Sequence, residues 1–206
     1  MPKKEAKKPV IVLDVGGVLV DLNPNTLTKT LSQNFGITVS APAPLLLDRL
    51  FLPVLTGETS FDEIIPALNA YFDISIAPKE WRDLCCSIFT GEMPGMKEIL
   101  SQLKTEFFLV ALTNTIEVHW TFLLETYEIF NLIDGYVVSY KEGMVKPSPA
   151  IYQTDENRYC NGGVPYFHTD DTPEYVEAAR RMGWQSEVFR SPFQFKNEVQ
   201  KTHSVR

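Results

Sequence analysis

The 206-residue chain has few cysteines, and their arrangement excludes two classes of small protein. Only Cys85, Cys86 and Cys160 are present, with no C-x-x-C spacing and no nearby pair of histidines. Adjacent cysteines rarely bridge each other, so a disulfide framework is not expected, and a zinc cluster lacks ligands. We expect reduced, mostly buried thiols.

The sequence also lacks a long hydrophobic run. No stretch approaches the ~18 uninterrupted apolar residues that a membrane helix needs. Lys3, Lys4, Lys7 and Lys8 precede an apolar segment, as in a signal peptide, but Asp14 lies within that segment and no small-residue cleavage site follows. We therefore expect a cytoplasmic protein with no membrane partner.

Positive charge is scarce as well. Acidic residues outnumber basic ones by 26 to 19, which gives a formal net charge of −7. Such a surface repels phosphate backbones, so we expect no nucleic-acid partner. An acidic protein that handles small anions needs a local cation, which points to a metal ion. Nothing in the composition indicates an oligomeric state.

The segment Val10 to Asp21, read as V-I-V-L-D-V-G-G-V-L-V-D, is the most informative part of the chain. Four aliphatic residues lead to the carboxylate of Asp14, and Gly16 and Gly17 then break the pattern. A buried strand that ends on an acid and turns on glycines is typical of open α/β sheets at their carboxyl edge. Taken alone, Asp14 could instead cap a strand–loop junction.

The rest of the chain divides into a helical block and an alternating block. Residues from about Pro24 to Phe89 show helical spacing and no convincing strand, and a Ser60–Glu63 capping box begins one of these helices. From Met96 onward, helices alternate with short apolar strands, including one at Val164–His168. This order predicts an α/β fold with a doubly wound parallel sheet. We assign residues 1–22 and 92–206 to a Rossmann-type core and residues 23–91 to an inserted small helical domain.

Polar residues follow four of the predicted strands. These residues are Asp14, Thr113 with Asn114, Lys146 in a Gly-Met-Val-Lys-Pro segment, and the pair Asp170 and Asp171. In a parallel sheet the strand ends meet at one edge, so these groups should converge. Each of these motifs alone is weak evidence for a functional site, because Lys-Pro is a common surface turn and an acidic pair can cap a helix. Together they indicate one site.

This combination suits phosphoryl chemistry. Three carboxylates in one small site favour a divalent cation, and oxygen ligands suit Mg²⁺. Thr113 and Asn114 offer donors to phosphate oxygens, and Lys146 supplies positive charge next to a nucleophilic carboxylate. Asp14 could then attack phosphorus and form an aspartyl-phosphate.

On these motifs the chain resembles the haloacid dehalogenase (HAD) superfamily over about residues 9 to 190. Within it, the similarity is greatest to the α-glucose-1-phosphate phosphatase-like branch, which has a small helical cap after the first motif. The resemblance implies a Mg²⁺-dependent hydrolase, a phosphatase of a small phosphorylated metabolite. It implies catalytic roles for Asp14, Thr113 and Lys146, and substrate contacts from Thr113, Asn114 and Lys146. The implied metal ligands are Asp14, the Gly16 carbonyl, Asp170 and Asp171.

One position departs from the family pattern. Family phosphatases carry D-x-D in the first motif, and the second Asp acts as general acid and base, whereas this chain has Gly16 there. The loss of a general acid costs ~10²–10⁴-fold in rate. We therefore expect substrates whose leaving group departs easily, such as a sugar 1-phosphate. Asp21 is a weaker candidate for a substitute acid.

Two alternative functions stay open. A 2-haloacid dehalogenase would need no acid at Gly16, although it would gain little from Asp170 and Asp171. A HAD-fold binding protein without catalysis is the second alternative. His168 is interpreted as a packing residue. The aromatic residues of the insert can contact substrate or form its core; they are Phe51, Phe61, Tyr71 and Trp81.

Overall fold

The computed structural model describes residues 8–37 and 47–205. Three of the amino-terminal lysines, Lys3, Lys4 and Lys7, and the insert's residues 38–46 lie outside the described residues. Within the described part of the chain, no helix combines the length and the apolar character needed to cross a membrane.

In residues 8–37 and 47–205, seven strands form two sheets. They are β1 (Val10–Leu13), β2 (Val20–Leu22), β3 (Phe89–Glu92), β4 (Phe108–Thr113), β5 (Gly135–Val138), β6 (Phe167–Asp170) and β7 (Ser186–Val188). The main sheet has the order β5-β4-β1-β6-β7 and all of its pairings are parallel. The α/β fold class with a parallel sheet is therefore confirmed, and β1 lies at its centre.

Ten α-helices connect and cover these strands in the described residues. They are α1 (Asn25–Phe35), α2 (Leu52–Leu55), α3 (Phe61–Phe72), α4 (Pro78–Cys86), α5 (Met96–Leu103), α6 (Glu117–Thr126), α7 (Ser139–Glu142), α8 (Pro149–Tyr159), α9 (Pro173–Arg181) and α10 (Pro192–Val205). A π-helical segment at Leu47–Phe51 and a 3₁₀ segment at Glu128–Leu132 complete the helical structure.

The central strand is apolar at every position because helices cover both faces of the sheet. Ile11 and Leu13 belong to one hydrophobic cluster, which includes α5 and α6. Val10 and Val12 point the other way and pack in a second cluster with residues of α8 and α9. The alternation follows from the two-residue period of a strand. It leaves Asp14 as the first polar side chain after the buried run.

The structure contains a short antiparallel ribbon that was not predicted from the sequence, where no strand was expected between about Pro24 and Phe89. β2 pairs with β3, with Val20 opposite Glu92 and an irregularity after Asp21. The ribbon stands where the chain leaves the sheet for the helical insert and where it returns. The predicted boundary between residues 91 and 92 falls within β3, and the division into core and insert remains a prediction.

The helices of the insert have a hydrophobic core of their own. Phe61 and Trp81 are buried in it, which agrees with their interpretation as core residues, whereas Tyr71 is 55% exposed. The capping box is present, because Ser60 Oγ accepts from the Glu63 amide and the Glu63 carboxylate accepts from the Ser60 amide. Ile116, which lies outside the insert in sequence, also packs in this core.

Two expectations near the end of the sheet have different outcomes. The strand expected at Val164–His168 instead runs from Phe167 to Asp170, because Pro165 has no amide hydrogen to give to the sheet. His168 is fully buried between Tyr152 and Trp184, and its Nδ1 lies 2.7 Å from Ser186 Oγ. The interpretation of His168 as a packing residue is confirmed.

A buried carboxyl group lies inside α8. Asp155 is fully buried, and its Oδ2 has no hydrogen-bond partner among the described residues. Its Oδ1 is 3.9 Å from Cys160 Sγ. Burial raises the pKa of Asp155 from 3.8 to about 7, since water no longer solvates the charge. The helix therefore carries a carboxyl group that is protonated at mildly acidic pH.

This raised pKa makes the stability depend on pH. The folded chain holds the Asp155 proton more tightly than the unfolded chain, so the contribution is complete below pH 3.8 and is lost as the pH rises to about 7. Relative to Asp155→Asn, the unchanged protein should lose up to about 1.4 kcal/mol of unfolding free energy per pH unit in that window. Urea unfolding across this pH range measures the difference. The exposed-site variant Glu106→Gln should follow the unchanged protein, and parallel profiles for all three proteins would contradict the assignment.

Candidate active site

The first carboxylate of the site follows the central strand directly. The Asp14 amide donates to the Thr169 carbonyl at 3.0 Å, which extends the pairing of β1 with β6 by one residue. Only 7% of Asp14 is exposed. A carboxylate buried to this degree requires a compensating charge or donors nearby.

Lys146 supplies that charge. Its Nζ donates to Asp14 Oδ1 at 2.9 Å, to Asp170 Oδ2 at 2.6 Å and to the Leu112 carbonyl at 3.0 Å. An ammonium group has three hydrogens, so all of its donors are used. Lys146 is 2% exposed and Asp170 is fully buried. The ammonium group therefore joins the ends of β1, β4 and β6, the three central strands of the sheet.

Asn114 holds Lys146 in place through its backbone. The Asn114 Oδ1 accepts from the Lys146 amide at 2.7 Å, and its Nδ2 donates to the Lys146 carbonyl at 2.9 Å. The same Nδ2 also lies 3.3 Å from the Tyr175 hydroxyl, and the Tyr175 ring faces Lys146 Nζ at 4.9 Å. Because its amide is engaged in this way, Asn114 positions Lys146. Tyr175 was not identified from the sequence, where nothing distinguishes it from other helix residues.

The acidic pair after β6 divides its contacts. Asp170 Oδ2 accepts from Lys146, while Oδ1 accepts from the Thr172 amide at 2.9 Å. Asp171 is exposed, and its Oδ1 accepts from the Thr172 hydroxyl at 3.2 Å. Oxygen atoms of Asp14, Asp170 and Asp171 all lie within 4.8 Å of one another. The structure therefore brings together three of the predicted metal-binding residues.

The charges in this cluster do not balance. Three carboxylates face one ammonium group, so two negative charges are uncompensated when all are ionised. Burial raises the pKa of Asp14; Lys146 opposes this shift and Asp170 adds to it. Partial desolvation of its carboxyl group and the charge of Asp14 likewise raise the pKa of Asp171. Burial alone would lower the pKa of Lys146, but Asp14 and Asp170 raise it.

Gly17 allows Asp171 to approach the loop. Its φ of +72° favours glycine, and a Cβ at this position would collide with Asp171 Oδ2. The Gly17 amide donates to the Val20 carbonyl at 2.8 Å, so the loop is closed on itself. The second glycine of the motif is therefore needed for both its backbone conformation and the space it leaves.

The first glycine of the motif has a different neighbour. A Cβ built on Gly16 would lie 2.8 Å from Cδ1 of Leu22, the last residue of β2. The Leu22 side chain thus occupies the space into which a larger residue at position 16 would extend. The absence of a carboxylate at position 16 is visible in the sequence, whereas the contact between Gly16 and Leu22 is visible only in the structure. Asp21 is exposed, and its Oδ1 accepts from the Leu22 amide.

The remaining predicted residue, Thr113, ends β4 and is 5% exposed. Its strand pairs with β1, so Thr113 and Asp14 follow neighbouring strands at the same edge. Two residues further along, the Thr115 amide donates to Ser139 Oγ at 2.9 Å. The segment that begins at Thr113 is therefore fixed to the end of β5.

A cavity of about 880 Å³ lies between the insert and α6, apart from this cluster. None of the residues named above as site residues lines it. The charged side chains that do are Glu58, Asp62, Glu63, Arg82, Asp83, Glu117 and Glu125. Arg82 is paired with Asp62. An excess of carboxylates makes this cavity unsuitable for a phosphate group.

Comparison with known proteins reveals similarity in structure only. No protein-family model matches the chain, and no curated protein matches it by sequence. A HAD family enzyme from Bacteroides thetaiotaomicron, solved in complex with magnesium and inorganic phosphate, is 19% identical with a TM-score of 0.75. The match covers 90% of this chain and 96% of that one.

Two further structures extend the comparison. A predicted HAD-like family hydrolase from Porphyromonas gingivalis is 21% identical, with a TM-score of 0.72 over 90% of this chain and 93% of that one. A candidate β-phosphoglucomutase from Thermotoga maritima is 19% identical, with a TM-score of 0.65 over 94% and 99% of the two chains. The chain therefore has the HAD fold, and the predicted resemblance is confirmed at that level.

The buried ion pairs of Lys146 should dominate the stability of the site. Lys146→Met leaves Asp14 and Asp170 as unpaired buried carboxylates, so it should lower the free energy of unfolding by about 3–5 kcal/mol. Lys79→Met removes an exposed ion pair with Asp83 and should cost no more than about 1 kcal/mol. Urea unfolding with a chelator present measures both variants. Equal small losses would contradict the role given to Lys146.

Proposed function

Starting from a chain with the HAD fold, we propose that this protein is a Mg²⁺-dependent phosphatase of a small phosphorylated metabolite. The supporting observation is the cluster at the carboxyl edge of the sheet, where Lys146 joins Asp14 to Asp170 and Asp171 lies beside them. The magnesium and phosphate of the Bacteroides thetaiotaomicron structure support the same chemistry. Cytoplasmic location and the lack of a nucleic-acid partner remain predictions from the sequence.

The cluster has the right chemistry for a divalent cation. Its donors are hard carboxylate oxygens. Two negative charges lack compensation because the single charge of Lys146 faces three carboxylates, and its three hydrogens are already donated. The proposed ligands are Asp14, Asp171 and the Gly16 carbonyl. Asp170 was predicted as a ligand too, which stays a prediction; the role we propose for it is to hold Lys146 through Oδ2.

Asp14 is the proposed nucleophile. Lys146 occupies its Oδ1, which leaves Oδ2 to attack phosphorus and form an aspartyl-phosphate. Bound Mg²⁺ would supply charge neutralisation for the phosphoryl oxygens. Lys146 contributes a permanent positive charge beside the reacting group, and the Thr113 hydroxyl at the next strand end donates to the phosphoryl group. Water then hydrolyses the intermediate.

The space around Gly16 limits the substrates. Where family phosphatases carry an acid, this chain has glycine covered by the Leu22 side chain. A leaving group must therefore depart without a proton from position 16. We propose substrates whose leaving oxygen is a weak base, as in a sugar 1-phosphate, an aryl phosphate or an acyl phosphate.

The alternatives make different demands on the same residues. A 2-haloacid dehalogenase would release halide without added metal, and a reaction with no need for a cation gives no reason for Asp171 to approach Asp14. A binding protein with this fold would bind phosphate without turnover. The following experiments separate these cases.

Metal binding should depend on the space beside Gly17. Gly17→Ala displaces Asp171 and should weaken Mg²⁺ binding at least tenfold, a loss of about 1.4 kcal/mol. Gly36→Ala is a matched control, since Gly36 has a similar φ of +68° but no neighbour within 4 Å of an added Cβ. Titration calorimetry with Mg²⁺ measures both. Equal affinities in the two variants would exclude Asp171 as a ligand.

Substrate preference should follow the leaving group. With Mg²⁺ present, sugar 1-phosphates and aryl phosphates should transfer their phosphoryl group to the chain ~10²–10⁴-fold faster than sugar 6-phosphates, because only the latter need a general acid. Asp14→Asn should abolish transfer from all of them. The measurement is the rate at which the sugar or phenol is released in the first turnover, across a substrate panel. Equal rates for 1- and 6-phosphates would argue against this preference, and chloride release from a 2-haloacid without metal would favour the dehalogenase.

A further inference from the structure

The loop after Asp14 carries no group that can accept a proton. From Val15 to Val20 its side chains are only glycine and aliphatic, and Val15, Val18, Leu19 and Val20 are buried. The next carboxylate, Asp21, is exposed on the ribbon and holds the Leu22 amide. The approach to Asp14 from this loop is therefore apolar.

The polar groups that do surround Asp14 are occupied. Lys146 uses its three hydrogens, and both oxygens of Asp170 accept hydrogen bonds. Asp171 is the proposed metal ligand beside Gly17. Among the described residues of the cluster, each carboxylate is thus paired with Lys146 or assigned to the metal ion, so no separate base is placed beside an attacking water molecule.

The two steps of the proposed reaction differ in their need for a proton acceptor. In the first step, an oxygen of Asp14 forms a bond to phosphorus while the bond from phosphorus to the leaving oxygen breaks. With an acyl phosphate the leaving group is a carboxylate, which departs with its electron pair and takes up no proton. In the second step, water attacks phosphorus and must give up a proton while the Asp14 carboxylate departs. A positioned base contributes ~10²–10⁴-fold to such a step.

We infer that the chain takes a phosphoryl group from acyl phosphates and retains it on Asp14 as a long-lived aspartyl-phosphate. The inference rests on the proposed function, because it uses the same nucleophile and the same bound cation. It adds a second property, that release rather than transfer limits the cycle. The Leu22 side chain contributes by occupying the space from which a base at position 16 would act on water.

The test uses the full chain with Mg²⁺ and acetyl phosphate. After mixing, samples are quenched in acid and their intact mass is measured over time. We expect close to one added phosphoryl group per chain, removed by hydroxylamine, which cleaves acyl phosphates, and absent in Asp14→Asn. With an aryl phosphate, the released phenol should show a burst near one equivalent before slow turnover.

Two variants test the cause of the slow release. Gly16→Asp/Leu22→Ala places a carboxylate in the loop and makes room for it, so the bound phosphoryl group should be lost ~10²–10⁴-fold faster. Leu22→Ala alone makes the same space without a carboxylate and should keep the slow release. Asp21→Asn should also leave the lifetime unchanged, whereas a longer lifetime would identify Asp21 as a base and overturn the inference.

The outcomes separate this inference from the proposed function. Steady phosphate release without a burst and without detectable added mass would overturn the inference and leave the phosphatase intact. If no phosphate compound adds mass or is hydrolysed while Mg²⁺ still binds, both fail, and the chain is a binding protein. Equal lifetimes in Gly16→Asp/Leu22→Ala and Leu22→Ala would overturn the explanation based on Gly16 and Leu22.

Discussion

The ammonium group of Lys146 is the interaction on which this site depends. It lies at the carboxyl edge of the sheet and contacts Asp14, Asp170 and the Leu112 carbonyl, at the ends of three adjacent strands. Without it, the burial of two carboxylates within hydrogen-bonding distance of one atom would be strongly unfavourable. The same contact engages only Oδ1 of Asp14 and not Oδ2. The buried charge of Lys146 thus both holds the strand ends together and stands beside the proposed nucleophile.

The second constraint is spatial and comes from the β2–β3 ribbon. Because β2 turns back over the loop that follows Asp14, Leu22 approaches Gly16 closely. The ribbon therefore determines what surrounds Gly16, beside the proposed nucleophile. Position 16, where family phosphatases carry an acid, is glycine in this chain. The side chain next to this glycine is the apolar Leu22.

Much of the fold and part of the site follow from the sequence. The run of aliphatic residues before Asp14 indicates a strand buried on both faces, and parallel strands bring their carboxyl ends to one edge. That reasoning predicted the meeting of Asp14, Lys146, Asp170 and Asp171. It could not predict the ribbon, whose strands of three and four residues are too short and too mixed in polarity to show a period of two.

Other features depend on contacts between distant segments and leave no local pattern. Asn114 holds Lys146, which lies 32 residues further along, by both ends of its amide. Leu22 becomes part of the site only through the fold of the ribbon. Asp155 looks like an ordinary exposed residue of a polar helix, yet it is fully buried. Such roles are determined by tertiary packing, which overrides the local preference of the residue.

Ile116 limits how independently the predicted core and the helical insert can move or be exchanged. It follows the segment Thr113–Thr115 at the edge of the sheet, but its side chain packs in the hydrophobic core of the insert. An insert that swings away must either draw this segment with it or leave a void where Ile116 was, at a cost of a few kcal/mol. If the insert were exchanged for an unrelated domain, Ile116 would need a new packing partner. Both the new domain and the segment after β4 would then have to be redesigned.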